Sequence, residues 1–220
     1  MPRTWQSQQN DSLSQELPDL IADCAPSLEL GVAAFGNDPE AVNIWMGDER
    51  AVSALHKDHY ENLYCVVHGE KHFLLFPPAD VLWLEEVSCR PATYCFSEEQ
   101  QTWSIVEDPA DETGPSPDVP WVDYDEANPR GLQTRASPVR CVVKAGETLY
   151  LPSLWYHQVS QKGLTIAVNY WHDMAFDHRY VYYKLCRGIM MARRDEREAT
   201  GTGEEFWSEN EDLAPIAAPL

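Results

Sequence analysis

His56 and Asp58, two residues apart, and His157 far downstream are the residues of this chain whose types and spacing could hold a transition metal. Two imidazoles and one carboxylate on one face of a small barrel form the set that binds non-haem Fe(II) and leaves positions open for substrate and oxygen. A His-x-Asp puts both side chains on one side of a strand, because the side-chain period of a strand is two. His157 lies in Trp155-Tyr156-His157-Gln158-Val159, which is also strand-like. His172, beside a strand end, is the rival third ligand. His157 is preferred because Tyr150-Leu151-Pro152 and Trp155-Tyr156 build an aromatic wall just before it. His59, His68, His72 and His178 read as surface or structural residues. The 6 cysteines form no CxxC pair, which points away from a thiolate zinc site and from a redox dithiol.

The elements that must position these residues are mostly strands. Runs rich in β-branched and aromatic residues predict strands over 41–47, 62–67, 72–76, 140–144, 148–152, 156–160 and 164–171, and 53–55 leads into the His-x-Asp. His68-Gly69-Glu70-Lys71 has the composition of a hairpin turn between two of them, and further turns are expected at Gly47-Asp48, Ala145-Gly146 and Lys162-Gly163. About eight short strands in two groups of four suit an all-β core of the jelly-roll, cupin-like type, the double-stranded β-helix. His157, from the second group, is expected to lie opposite the first.

Around this core, residues 1–40 form a polar segment with a short helix over 17–24, and the barrel spans 41–176. Residues 79–137, rich in Pro and acid, are a semi-ordered insertion near the barrel mouth. Val181, Leu185 and Ile189 recur at helical spacing and predict an amphipathic C-terminal helix over 177–199, followed by a disordered tail over 200–220.

A chain of 220 residues has enough material for one domain with a substantial core. No apolar run is long enough to span a bilayer, and the first residues lack the apolar stretch of a secretory signal, so the expected compartment is the cytosol, with the nucleus second. A net charge of −20 argues against nucleic acid and suits a Lys- or Arg-rich protein substrate. Much of that acid falls in expected loop and tail, where such runs are usually solvated.

Taken in order, Leu55-His56-Lys57-Asp58-His59-Tyr60-Glu61-Asn62-Leu63-Tyr64, Gly69-Glu70-Lys71-His72-Phe73, Phe76-Pro77-Pro78, Ala145-Gly146-Glu147-Thr148-Leu149-Tyr150-Leu151-Pro152, Trp155-Tyr156-His157 and Val168-Asn169-Tyr170-Trp171 resemble a JmjC domain of the small-hydroxylase branch. The resemblance implies a dioxygenase dependent on Fe(II), with 2-oxoglutarate and O2 as cosubstrates. It implies His56, Asp58 and His157 as iron ligands, and Lys71 as partner of the distal carboxylate of 2-oxoglutarate. Asn62 and Asn169 match polar positions of the cosubstrate pocket, and Ser53 a position whose hydroxyl assists Lys71. A structural hydrogen bond is the competing role for each Asn, and wall packing is the role of Tyr64 and Trp171.

The activity implied is hydroxylation of a side chain, a lysyl one, in a protein substrate, with GTP-binding proteins of the developmentally regulated type as the partner class and a homodimer as the assembly. N-methyl-lysine demethylation and a methyl-arginine-directed endopeptidase are the enzymatic alternatives; a non-catalytic cupin-like scaffold is the alternative from another class. The scaffold reading arises because only residues 1–11 stand where the family carries supporting strands and a 2-oxoglutarate-contacting Tyr, so the chain reads as N-terminally shortened.

Overall fold

Two long strands organise the chain. In the computed structural model, which describes residues 11–107 and 118–200, β3 (Tyr60–Phe76) and β10 (Tyr156–Asp173) run antiparallel along each other from end to end. At 17 and 18 residues they are about three times the usual strand length, because each serves two sheets in turn. The N-terminal half of β10 pairs with β2 (Ser53–Lys57) on its other edge, and the C-terminal half with β1 (Ala41–Gly47). Along β3, the stretch Glu70 to Leu75 pairs with β8 (Val139–Lys144), and Asn62 to Cys65 with β9 (Thr148–Leu151). The result is two four-stranded halves, β2-β10-β3-β8 and β1-β10-β3-β9.

The two halves face each other across one core. Tyr64 from one half of β3 meets Phe73 from the other edge-to-face, with ring centroids 5.1 Å apart. Val66, Leu75, Val143, Leu151, Val159 and Ala167 complete this inner cluster. The outer faces are covered by helices. α1 (Ser12–Gln15), a 3-10 turn over Pro18–Asp23 and α2 (Glu29–Phe35) lie on the side of Val42, Ile44, Leu63 and Tyr170. α3 (Val81–Leu84) and α4 (His178–Thr200) cover Leu55, Leu74, Phe76 and Tyr156 on the other side.

The expected hairpin at 68–71 and turn at 162–163 are corrected here. Both segments stay within single continuous strands, bent where the two sheets meet. Gly69 has φ +80° and Gly163 φ +66°, so glycine supplies the positive φ that a turn would also need. The register slips at the same place, with Lys162 opposite Glu70 but Ile166 opposite His68. This bulge resets the alternation of β3. Asn62, Tyr64 and Val66 point inward before it, and Lys71, Phe73 and Leu75 after it. Strict period-two counting from Asn62 would have put Lys71 outside.

The insertion is more regular than expected. β4 (Val87–Cys89) pairs with β7 (Val119–Trp121), and β5 (Ala92–Ser97) forms a hairpin with β6 (Thr102–Glu107). α4 forms where expected but packs through another face. Tyr183, Cys186 and Met190 are buried, whereas Val181, Leu185 and Ile189 are exposed. Both stripes have helical spacing, and ion pairs from α4 to Glu61 of the barrel and Glu86 of the insertion select between them. The expected polar start over 1–10 and the tail over 201–220 lie outside the described residues.

A Cβ at position 69 would stand 2.5 Å from the Leu164 carbonyl oxygen, while one at Gly163 meets nothing within 4 Å. Gly69→Ala is therefore expected to lower the unfolding free energy by about 1–3 kcal/mol, and Gly163→Ala by about 1 kcal/mol or less. Urea unfolding of the two variants checks the order; equal losses would remove the bulge from its role in the bend.

Candidate metal centre

His56 and His157 are direct partners in the register of β2 and β10, so their imidazoles stand side by side with ring centroids 4.3 Å apart. The expectation that His157 lies across the barrel is thus corrected to a position on the neighbouring strand. Asp58 follows the end of β2 and turns back toward both rings. Its Oδ1 is 3.9 Å from His56 Nε2, and its Oδ2 is 3.5 Å from His157 Nε2. The three residues bring one ligand atom each within 4.8 Å of one another, the span of a single metal ion.

The backbone sets the tautomer of both rings. His56 Nδ1 lies 2.7 Å from the Ala54 carbonyl oxygen, and His157 Nδ1 lies 3.1 Å from that of Trp155. A carbonyl can only accept, so each Nδ1 carries the hydrogen and each Nε2 keeps its lone pair on the Asp58 side. Burial and the neighbouring His56, partly opposed by Asp58, hold His157 down to about 4, so it is neutral and ready to ligate at neutral pH. The loop before β10 is fixed to the same corner. Leu154 sits at φ +68° and its N–H donates to the Asp58 carbonyl at 2.9 Å, a strained residue where the two ligand-bearing segments meet.

A cavity opens from this group into the barrel, and all seven residues expected at the site line it: His56, Asp58 and His157 with Ser53, Asn62, Lys71 and Asn169. Lys71 is 6% exposed, and burial holds its ammonium down to about 8. Its hydrogen bond goes to the neutral Oε1 of Gln161, not to Ser53. Gln161 is locked in turn by donating to the Asp48 carbonyl at 2.6 Å. A buried ammonium with one neutral partner is electrostatically incomplete, and an anion would complete it. Asn169 accepts from Trp45 Nε1 at 2.9 Å and donates to Asn62 Oδ1 at 3.1 Å, so it has a structural hydrogen-bonding role. Tyr64, Phe73 and Trp171 form the cavity's aromatic wall.

Comparison with known proteins gives the family of the fold that carries this site. The cupin-like domain profile matches residues 2–178. The chain is a cupin-like domain of the JmjC type. It is 44% identical to the human bifunctional peptidase and (3S)-lysyl hydroxylase JMJD7, over 84% of this chain and 58% of that protein. It is 40% identical to the Arabidopsis thaliana lysine-specific demethylase JMJ32, over 94% and 64% respectively. JmjC domain-containing protein E of Dictyostelium discoideum is 37% identical, over 81% and 56%. The chain thus spans between about half and two thirds of the length of these relatives.

His172, the rival ligand, faces the other side of this JmjC sheet. It packs beneath α2, where a Cβ on Gly31 would come within 2.7 Å of its Nε2, and its Nδ1 lies 3.1 Å from the Asn37 carbonyl oxygen. The sequence reading missed Gln161, although it shares the parity of His157 on the same strand. It also missed Glu86. This carboxylate is 4% exposed and receives Tyr156 Oη at 2.6 Å, Tyr183 Oη at 3.3 Å and Arg187 Nε at 2.6 Å. Lys57 Nζ, from the residue between His56 and Asp58, is 3.3 Å away. Burial alone would raise the Glu86 carboxyl, but Lys57, Tyr156 and Arg187 outweigh it and hold it below the ordinary range. No sequence motif marks this contact.

A divalent cation such as Co(II), titrated by its visible absorption, is expected to bind the wild type. Binding should be lost in Asp58→Ala and His157→Ala, and kept in His172→Ala. Retained binding in the first two variants with loss in the third would move the centre to the other face of the sheet. Separately, Glu86→Ala leaves Lys57 and Arg187 without their buried partner and should cost about 3–5 kcal/mol in urea unfolding. A loss below about 1 kcal/mol would class the contact with exposed ion pairs.

Proposed function

We propose that this chain is an oxygenase that uses Fe(II), 2-oxoglutarate and O2 to hydroxylate a lysyl side chain of a protein substrate. One observation carries the reading: a two-His, one-carboxylate group and a buried Lys71, with no anionic partner among the described residues, line the same cavity. The donor set fits ferrous iron, with two neutral nitrogens and one carboxylate. His56 Nε2, His157 Nε2 and an Asp58 oxygen would hold the metal. Lys71 would receive the far carboxylate of the cosubstrate, held by Gln161 in the position to do so.

When bound, Fe(II) and the 2-oxo acid supply the oxidising chemistry, in which O2 is reduced, 2-oxoglutarate becomes succinate and CO2, and one oxygen atom enters a substrate C–H bond. The chain binds and orients. Charges balance in the buried site, because a divalent cation and the Lys71 ammonium offset Asp58 and a dicarboxylate. Tyr64, Phe73 and Trp171 limit water beside the reacting centre. No protein acid or base is needed, and none is assigned.

The name of the human relative supports lysyl hydroxylation, and the net charge of −20 suits a lysine-bearing protein partner. GTP-binding proteins of the developmentally regulated type are the first substrates to test. The Arabidopsis relative's name supports a second reading, N-methyl-lysine demethylation. Mass spectrometry of a reacted substrate separates the two by an added oxygen or a lost methyl group. Succinate production from 2-oxoglutarate with Fe(II) tests the oxygenase reading itself, and its absence in the loaded wild type would leave a scaffold.

Lys71→Ala should raise the half-saturating 2-oxoglutarate concentration about ten- to a hundred-fold, the loss of a charge-assisted hydrogen bond of about 1.5–3 kcal/mol, with metal affinity nearly unchanged. The same contact fixes the pH dependence. Lys71 is charged below about 8 and neutral above it, so cosubstrate affinity should be flat below that pH and weaken above it. Stability moves the other way. The folded value lies below the ordinary 10.5, so the burial penalty is fully present below about 8 and is relieved as the pH rises toward 10.5. Cosubstrate titrations across this range check the first and urea unfolding of the unloaded chain the second, and an unchanged half-saturation in Lys71→Ala would leave the anion site unassigned.

A further inference from the structure

Among the described residues β5 and β6 pair only with each other, as a small sheet separate from the two barrel halves. Phe96 stands opposite Trp103 in the register, and Ile105 follows two residues after Trp103, so all three share one face. That face is open: Phe96 is 41% exposed, Trp103 59% and Ile105 67%, with the two aromatic rings in contact at 5.1 Å. Scattered single apolar residues are ordinary on a surface, whereas three together on one side of a two-stranded sheet make a contiguous apolar patch that a partner could cover.

Two further observations identify the occupant. Glu98 and Glu99 form the exposed turn between β5 and β6, and neither strand carries a Lys or Arg, so the apolar face ends on an acidic tip that favours cations, whereas Glu107, Asp123 and Glu126 are already paired with Arg90, Arg130 and Arg140. The hairpin is tethered to the rim of the cavity through β4 and β7. Trp121 on β7 packs on His56 with ring centroids 4.9 Å apart, and it pairs with Val87 on β4, which ends at Cys89, three residues before β5. Chain reach keeps the start of β5 within roughly 10 Å of the end of β4.

We infer that the Phe96–Trp103–Ile105 face docks a segment of the protein substrate rich in Lys and Arg and carrying apolar side chains, and so holds it beside the His56 end of the cavity. The inference rests on reading the cavity as one that acts on a protein. A second copy of this chain is disfavoured as the occupant, because its own acidic arm would be repelled.

The test uses the full chain and short fluorescent peptides alternating Lys with Leu, Glu with Leu, or Lys with Ser. The Lys-Leu peptide should bind by anisotropy and weaken as salt is raised, with the other two at least about ten-fold weaker. A Trp103→Ser, Ile105→Ser double variant, changed only at exposed positions, should lose at least about ten-fold in Lys-Leu affinity while keeping its metal and 2-oxoglutarate binding. Glu98→Gln with Glu99→Gln should flatten the salt dependence. Undiminished peptide binding by the double variant overturns the inference. So does a wild-type dimer that this variant dissolves while peptide binding is unchanged. Failure of the cavity reading looks different: the peptide binds through the arm, but the wild type neither takes up nor consumes 2-oxoglutarate.

Discussion

The contact between Glu86 and Lys57 is the constraint on which the arrangement of the site depends. Lys57 lies between two of the three residues that could hold a metal, and alternation along the strand sends its side chain out as theirs turn inward. Out there it meets a carboxylate almost wholly removed from water. Glu86 belongs to the insertion, Tyr156 to the start of β10, and Tyr183 and Arg187 to α4. Four segments distant in sequence thus converge on one anion. Dehydrating a carboxylate is unfavourable, and only the full set of donors offsets it, so the node forms when all four are in place.

A second buried carboxylate works the same way at the start of α4. Glu61 accepts from Tyr150 Oη at 2.7 Å and from the Ser153 backbone at 3.1 Å, and Arg179 lies 3.2 Å away. The two clamps explain the helix orientation that patterning could not. α4 has two apolar stripes at helical spacing, and hydropathy is indifferent between them. Arg179 and Arg187 must reach Glu61 and Glu86, and that turns Tyr183, Cys186 and Met190 inward.

The same distinction decides what could be read from the chain. The strand positions were legible because β-branched and aromatic runs are local signals, and 41–47 matches β1 in the structure. His56, Asp58, His157 and Lys71 were legible because a charged or metal-binding group among apolar strand residues needs a reason, and the family motifs supplied one. The long strands were not. A glycine with positive φ serves a hairpin or a bend equally well, and the partner that decides, β10, lies far along the sequence. Gln161 and Glu86 were invisible for a related reason. Their meaning lies in a single cross-chain contact, to Lys71 and to Lys57, and no spacing rule encodes it.

The bulge opposite Gly69 also governs where this sequence can change length. A residue added or removed within the bend would reverse the inward and outward sets along half of β3, turning the cation of the cavity toward solvent. Between β3 and β8 no such parity has to be kept, and there the chain carries its insertion of extra strands. Variation in length is thus channelled into the segment that rims the cavity, so related chains can diverge in what they grasp while the frame holding the reactive groups keeps its count.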